Sequence, residues 1–195
     1  MTGKAAVFID RDGTLNEDMG YVNHVSRFHI FPRSIEAIRL LNRAGVLAVL
    51  VSNQSGVAMG YFPDERVREI HDHMNRELAS AGVRLDGVYY CPHHPRAAVE
   101  EYRMECRCRK PATGMADRAV RELGIAVERA CVVGDKPSDF RLAHRLGVPG
   151  VLVMTGYGRG EWEYNRHGWE RRPDHVCEDL LDAVRWFLDT SEKRP

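Results

Sequence analysis

An α/β fold, with a mostly parallel central sheet and helices on both faces, is what this 195-residue sequence predicts, on three observations. Short runs rich in Val and Ile alternate with segments of helical periodicity. The runs are apolar throughout, as in strands buried on both faces. Proline and glycine punctuate the helical segments at their starts and ends. Alternation of this kind is the signature of parallel strands joined by crossover helices.

Strands are expected at Ala5–Ile9, Val46–Val51, Gly87–Tyr90, Ala130–Val133 and Gly150–Met154, each too short for a helix. Between them, Ser34–Ala44 repeats Ile35, Ile38 and Leu41, and Asp64–Ala81 repeats Val67, Ile70, Met74 and Leu78. Helices are also expected over Gly114–Leu123, Ser138–Leu146 and Asp179–Leu188. Pro63-Asp64 and Pro137-Ser138 resemble helix starts, while Gly45, Gly82, Gly124 and Gly147 sit where helices should stop. Residues 156–173 mix Gly, Trp, Tyr and Arg without a period and are expected to form a long surface loop packing its own aromatics, with substrate contact as the alternative.

A hydrophobic content of 44% suits one compact domain over residues 1–195. Lys plus Arg equals Asp plus Glu at 28 each, so no global field draws nucleic acid or an anionic membrane, and phosphate chemistry must rest on local charge. Met1-Thr2-Gly3-Lys4 and the apolar run after it are too brief for a signal peptide or a membrane span, so a cytoplasmic protein is expected. Neutral net charge gives no hint of a protein partner, and a monomer is expected. Five cysteines, an odd number, argue against a disulfide framework. Cys131 and Cys177 lie in apolar runs and are expected to be buried.

In such a fold, ligands bind beyond the carboxyl ends of the strands. The first strand runs into Asp10-Arg11-Asp12-Gly13-Thr14. Residues two apart in extended backbone face one side, so Asp10 and Asp12 are expected together with Arg11 pointing away. Carboxylates that close repel unless a divalent cation offsets them or one keeps its proton. The second strand ends at Ser52, and Asn53-Gln54-Ser55-Gly56 can offer consecutive backbone N–H groups to a phosphate. The fourth ends in Asp135-Lys136-Pro137-Ser138-Asp139, where Asp135 can give oxygen to a hard cation. Singly, these read equally well as ordinary turns and helix caps. Their convergence on one crevice is what points to chemistry.

Together, "DRDGT", Ser52, Lys110 and "GDKPSD" resemble the four motifs of the haloacid dehalogenase (HAD) superfamily of phosphatases, in the expected order and across most of the chain. The resemblance implies a Rossmann-like fold in which Asp10 is the nucleophile and Asp12 the acid and then the base. It implies Mg²⁺ held by the Asp10 carboxylate, the Asp12 carbonyl and Asp135, with Asp139 behind them and with Ser52 and Lys110 on the phosphoryl oxygens. Asp12, beside another carboxylate, is expected to have the intermediate pKa that such a task needs.

Residues 91–110 carry Cys91 and His93 as C-x-H, then Cys106 and Cys108 as C-x-C. In extended backbone each pair can grip one ion, with the segment between folding back like a hairpin. Thiolates with one imidazole select zinc, and four protein ligands leave no position for a catalytic water. A closed structural site is therefore expected, with an unligated thiol cluster as the alternative. His94, one residue on, should face away. A metal here would fix where Arg109 and Lys110 enter the crevice.

"GYVNH", "NQSGVA", "YYCPHHP" and "CRCRKP" are similar to the zinc-containing branch of the superfamily, which holds heptose bisphosphate 7-phosphatases and histidinol-phosphate phosphatase domains. The long spacing from His93 to Cys106 resembles the heptose side. That resemblance implies a small sugar bisphosphate as substrate, with the second phosphate on Arg109, whose planar fork suits it. It further implies a sugar pocket at Asp18, Met19, Gly20 and Tyr21, with contacts from Asn53, Gln54, Ser55 and Lys136. No large insertion follows the first or second motif, so no separate cap domain is expected. Histidinol-phosphate or broad sugar-phosphate hydrolysis is the alternative. A non-catalytic zinc module would have no need of two carboxylates facing a lysine.

Overall fold

A computed structural model of the chain describes residues 3–191; Met1, Thr2 and residues 192–195, which the single-domain and amino-terminal readings include, lie outside them. The elements in chain order are β1 (Lys4–Ile9), α1 (Pro32–Ala44), β2 (Leu47–Asn53), the short α2 (Ser55–Ala58), α3 (Asp64–Ser80) and β3 (Gly87–Cys91). After them come α4 (Gly114–Leu123), β4 (Ile125–Gly134), α5 (Pro137–Leu146), β5 (Gly150–Val153), the one-turn α6 (Gly158–Gly160), β6 (His175–Cys177) and α7 (Leu180–Ser191). All strand pairs are parallel and the order is β3-β2-β1-β4-β5-β6. The order reverses at β1, which pairs with β2 on one side and β4 on the other. That reversal opens a crevice at the carboxyl ends of these strands.

Side chains alternate across the sheet and build two cores. Val7, Ile9, Leu50 and Val133 face α1, α3 and α7 through Ile38, Leu41, Ile70, Met74, Val184 and Phe187. Ala6, Phe8, Val49 and Val132 face α4 and α5 through Met115, Ala119, Leu142 and Ala143. The sheet is thus buried on both faces, which is why its strands carry unbroken apolar runs. Helices α1, α4 and α5 end at Gly45, Gly124 and Gly147, each in the left-handed conformation expected of a glycine stop.

Three features differ from expectation. Strand β4 begins at Ile125, not Ala130, because its first half carries exposed Glu128 and Arg129 and shows no apolar run. Strand β6 is three residues long, too short to leave a pattern. Residues 156–173 are not structureless: α6 leads into a π turn (Glu161–Asn165) and a 3₁₀ turn (Arg166–Gly168). Trp169 then packs against Phe140 of α5 at 4.9 Å and against Trp162 at 6.3 Å, so this segment does pack its own aromatics. No helix among the described residues is long and apolar enough to cross a membrane.

Candidate active site

The crevice, about 360 Å³, lies at the switch point of the sheet. Asp10 follows β1 directly, Ser52 and Asn53 close β2, and Asp135 follows β4 directly. Asp10, Asp12, Ser52, Asn53, Gln54, Ser55, Asp18, Gly20, Tyr21, Arg109, Lys110 and Lys136 all line it. Asp135 and Asp139 are buried beneath. Met19 alone of the expected substrate-binding residues is not among the lining residues; it is 44% exposed, and its carbonyl accepts a bond from Arg27.

At the floor, one carboxylate oxygen from each of Asp10, Asp135 and Asp139 lies within 4.8 Å of the others. Lys110 enters between two of them, its Nζ 2.5 Å from Asp10 Oδ1 and 2.7 Å from Asp139 Oδ1. Burial would lower the lysine pKa, but Asp10 and Asp139 outweigh it and hold the ammonium charged. Lys136 reaches across to Asp18 at 3.0 Å and Asp135 at 3.5 Å, and these carboxylates, with Asp10, likewise raise its pKa against burial.

Asp135 behaves as a carboxylate in want of a cation. Burial, then the charge of Asp10, pushes its pKa up to about 8 despite Lys136, and its Oδ1 has no hydrogen-bond partner. Its Oδ2 accepts from the backbone N–H of Tyr157 at 2.8 Å. Gly13 and Gly156 close over it at φ +87° and +55°, and a Cβ on either would collide with the carboxylate. Crowded oxygen donors with an unpartnered buried oxygen fit a hard divalent cation.

Asp12 differs from expectation. Strand β1 stops at Ile9, so the chain turns at Arg11 and its side chain does not point away. Arg11 is fully buried, and its Nε and Nη2 both donate to Asp12. Gln54 Nε2 and Asn16 Nδ2 donate to the same carboxylate at 2.9 and 3.1 Å. Burial would raise the Asp12 pKa; the Arg11 charge and these hydrogen bonds outweigh it, so Asp12 is held ionised below the usual carboxylate range. The intermediate pKa expected from its proximity to Asp10 is not found in the substrate-free protein.

The turn after β2 is tied to the cysteine-rich segment. Gln54 N–H bonds the Cys91 carbonyl at 2.8 Å, so the turn does not offer an unbroken row of free N–H groups. The Asn53 side chain grips the Lys110 backbone twice, accepting from its N–H and donating to its carbonyl. Arg109 Nη1 donates to Ser55 Oγ at 2.9 Å and to the His93 carbonyl at 3.1 Å.

Cys91, His93, Cys106 and Cys108 come together, with one ligand atom of each within 4.8 Å of the others. The Sγ atoms of Cys106 and Cys108 are 2.9 Å apart, and His93 Nδ1 lies 3.6 Å from Cys91 and 3.7 Å from Cys108. The second pair is not extended: residues 106–108 form a turn in which Cys108 N–H points at Cys106 Sγ, and among the described residues no hairpin strand pairs with β3. Turning the chain about Cys106 converges two sulfurs as well as a strand would. Burial, then Cys108, raises the Cys106 pKa; the bond with Cys91, then burial, raises that of Cys108. Three thiols and one imidazole converging on one point fit a tetrahedral zinc ion. His94 lies outside the cluster, its Nδ1 accepting from Arg96 N–H.

Residues 107–183 match the family model described as HAD-hydrolase-like. The chain is 46% identical over 183 residues to a D-glycero-beta-D-manno-heptose-1,7-bisphosphate 7-phosphatase of Pasteurella multocida, covering 93% of this chain and 96% of that one. The chain belongs to the HAD-like phosphatases. It is 44% identical over 184 residues to the protein of the same name from Haemophilus influenzae, covering 92% of this chain and 95% of the relative. The crystal structure of a D,D-heptose 1,7-bisphosphate phosphatase from B. bronchiseptica complexed with magnesium and phosphate superposes with a TM-score of 0.82 at 33% identity, covering 95% and 99% of the two chains. This HAD-like phosphatase is therefore an enzyme of phosphate-ester hydrolysis on a Rossmann-like sheet.

Three further residues of the phosphatase line the crevice, one of them from the 156–173 segment for which substrate contact is the alternative reading. Val22, Ser138 and Tyr157 face the crevice, the last with its ring 4.3 Å from the Lys136 ammonium. Behind Arg11 stands His71 of α3, whose pKa burial and then the Arg11 charge push down to about 3. His71 shares the apolar face of Val67, Met74 and Leu78 at helical spacing, a signal that was available.

Proposed function

We propose that the chain removes the 7-phosphate of D-glycero-β-D-manno-heptose 1,7-bisphosphate through a phosphoaspartate on Asp10. The observation that carries this reading is a crevice with two anion-binding poles, Lys110 beside Asp10 and Arg109 at the metal-loop side, in a chain whose relatives are named for that substrate. The names of the Pasteurella multocida and Haemophilus influenzae relatives specify the β anomer.

A carboxylate oxygen of Asp10 attacks phosphorus as the bond to the sugar O7 breaks, and Asp12 gives its proton to that oxygen. Asp12 acquires the proton because the arriving phosphate dianion adds negative charge beside it and raises its pKa. In the second half-reaction Asp12, now a carboxylate, takes a proton from water as the water oxygen displaces Asp10 and phosphate leaves. Lys110 and Ser52 bind phosphoryl oxygens, and Asp139 keeps Lys110 oriented when Asp10 is esterified. Asp10, Asp135 and the Asp12 carbonyl would hold Mg²⁺, which when bound neutralises charge on the phosphoryl oxygens. Cys91, His93, Cys106 and Cys108 would hold Zn²⁺ as a structural ion. Asp18, Gly20 and Tyr21 line the sugar's path, with Met19 at the rim. We read residues 1–195 as one domain acting as a cytoplasmic monomer, with no nucleic-acid or membrane partner.

Arg109→Ala tests the second pole. Loss of a charge-assisted fork should lower kcat/KM on the bisphosphate by about 10- to 100-fold. On the same heptose carrying only the 7-phosphate, the change should stay within about threefold. Equal losses on both would remove Arg109 from the second phosphate.

A further inference from the structure

We propose that His71, 60 positions along the chain from Arg11, is a positioning residue for Asp12, acting through the buried Arg11 guanidinium. The proposal rests on the assignment of Asp12 as the acid of the first half-reaction.

Arg11 has no exposed surface, and all of its guanidinium nitrogens are engaged. Nε and Nη2 bind Asp12 at 2.8–3.0 Å, while Nη1 lies 3.2 Å from His71 Nε2. Arginine carries donors only, so Nε2 must be the acceptor, and His71 is the neutral tautomer with its proton on Nδ1. The imidazole is itself fixed. It lies on the buried face of α3 and meets Tyr90 edge-on at 5.3 Å, and the Tyr90 hydroxyl donates to Asp64 in the first turn of the same helix.

Asp12 thereby takes part of its orientation from α3 and β3, two regular elements, beside the bonds it accepts from Gln54 and Asn16. Removing the imidazole acceptor leaves a buried N–H of Arg11 without a partner, a loss the guanidinium can relieve by rotating. Asp12 would turn with it, away from the position of the leaving oxygen. Proton delivery should suffer first, since no polar contact of Asp10, Lys110 or Arg109 involves His71.

A leaving group that departs as a stable anion needs little help from an acid; a primary sugar alkoxide needs much. The test is the ratio of kcat/KM on heptose 1,7-bisphosphate to that on p-nitrophenyl phosphate, measured on one preparation of each variant. Both values report the phosphoryl-transfer half-reaction, and their ratio does not depend on the fraction folded. Relative to wild type, Asp12→Asn should lower the ratio about 100-fold and His71→Leu about 10-fold. His71→Gln, whose carbonyl can accept at the place of Nε2, should stay within about threefold of wild type. An unchanged ratio in His71→Leu beside a lowered one in Asp12→Asn would overturn the positioning role. So would a His71→Gln ratio as low as that of His71→Leu. An unchanged ratio in Asp12→Asn would instead overturn the assignment of Asp12 as the acid.

Discussion

Asp10→Asn is expected to lower phosphate release by at least about 10³-fold while leaving the fold intact. The carboxamide matches the carboxylate in shape, and Asp10 is buried against Lys110, so the substitution changes charge more than packing. What it removes is the anionic oxygen that must bond to phosphorus. It also takes one negative charge from the cluster with Asp135 and Asp139, the charge that, after burial, holds the Asp135 pKa up. The variant should therefore unfold no more easily than wild type while turning over almost no substrate. Stopped-time phosphate assays paired with thermal denaturation check this. Activity within tenfold of wild type would contradict the phosphoaspartate.

Cys108→Ser is expected to have the largest effect on stability. Residues 92–113 hold no strand and only one short 3₁₀ turn among the described residues, so the four-ligand cluster, with side-chain bonds such as those of Asn53 to the Lys110 backbone, is what ties the segment down. Loss of a structural metal belongs to the few changes that cost about 4 kcal/mol or more, on the order of 10 °C in Tm for a chain of this size. Activity should fall with it, because Arg109 and Lys110 follow Cys108 directly and their backbone and side-chain grips on Asn53, Ser55 and His93 assume a fixed loop. Chelation of the wild type should act in the same direction. The thiols of Cys106 and Cys108 are shifted upward, so a metal must displace protons to bind, and its affinity falls as pH falls. Half-maximal loss of zinc should thus need less chelator at about pH 6 than at about pH 8. Metal analysis finding no zinc, with Tm indifferent to chelator, would contradict the structural ion.

Much of this was legible in the sequence because buried parallel strands announce themselves. The runs ending at Ile9, Val51 and Val133 place Asp10, Asp135 and the β2 turn at one sheet edge, and the glycine stops at Gly45, Gly124 and Gly147 bound the helices between them. The C-x-H and C-x-C spacing likewise singled out four residues that do meet. What was not legible lies where periodicity ends. The alternation that sent Arg11 away from Asp12 holds only inside a strand, and β1 stops one residue before Asp10. Asn53 reads as a loop residue, yet its side chain serves the Lys110 backbone 57 positions on, a pairing that no local pattern encodes. Tyr157 reaches the crevice because Trp169 and Trp162 anchor the segment after it on α5, an outcome of tertiary packing.

The most direct measurement is phosphate release, with Mg²⁺, from the α and β anomers of D-glycero-D-manno-heptose 1,7-bisphosphate, from fructose 1,6-bisphosphate and from histidinol phosphate. The account predicts the highest kcat/KM on the β-heptose bisphosphate, with heptose 1-phosphate as the product. Histidinol phosphate as the best substrate, or release of the 1-phosphate in place of the 7-phosphate, would contradict it.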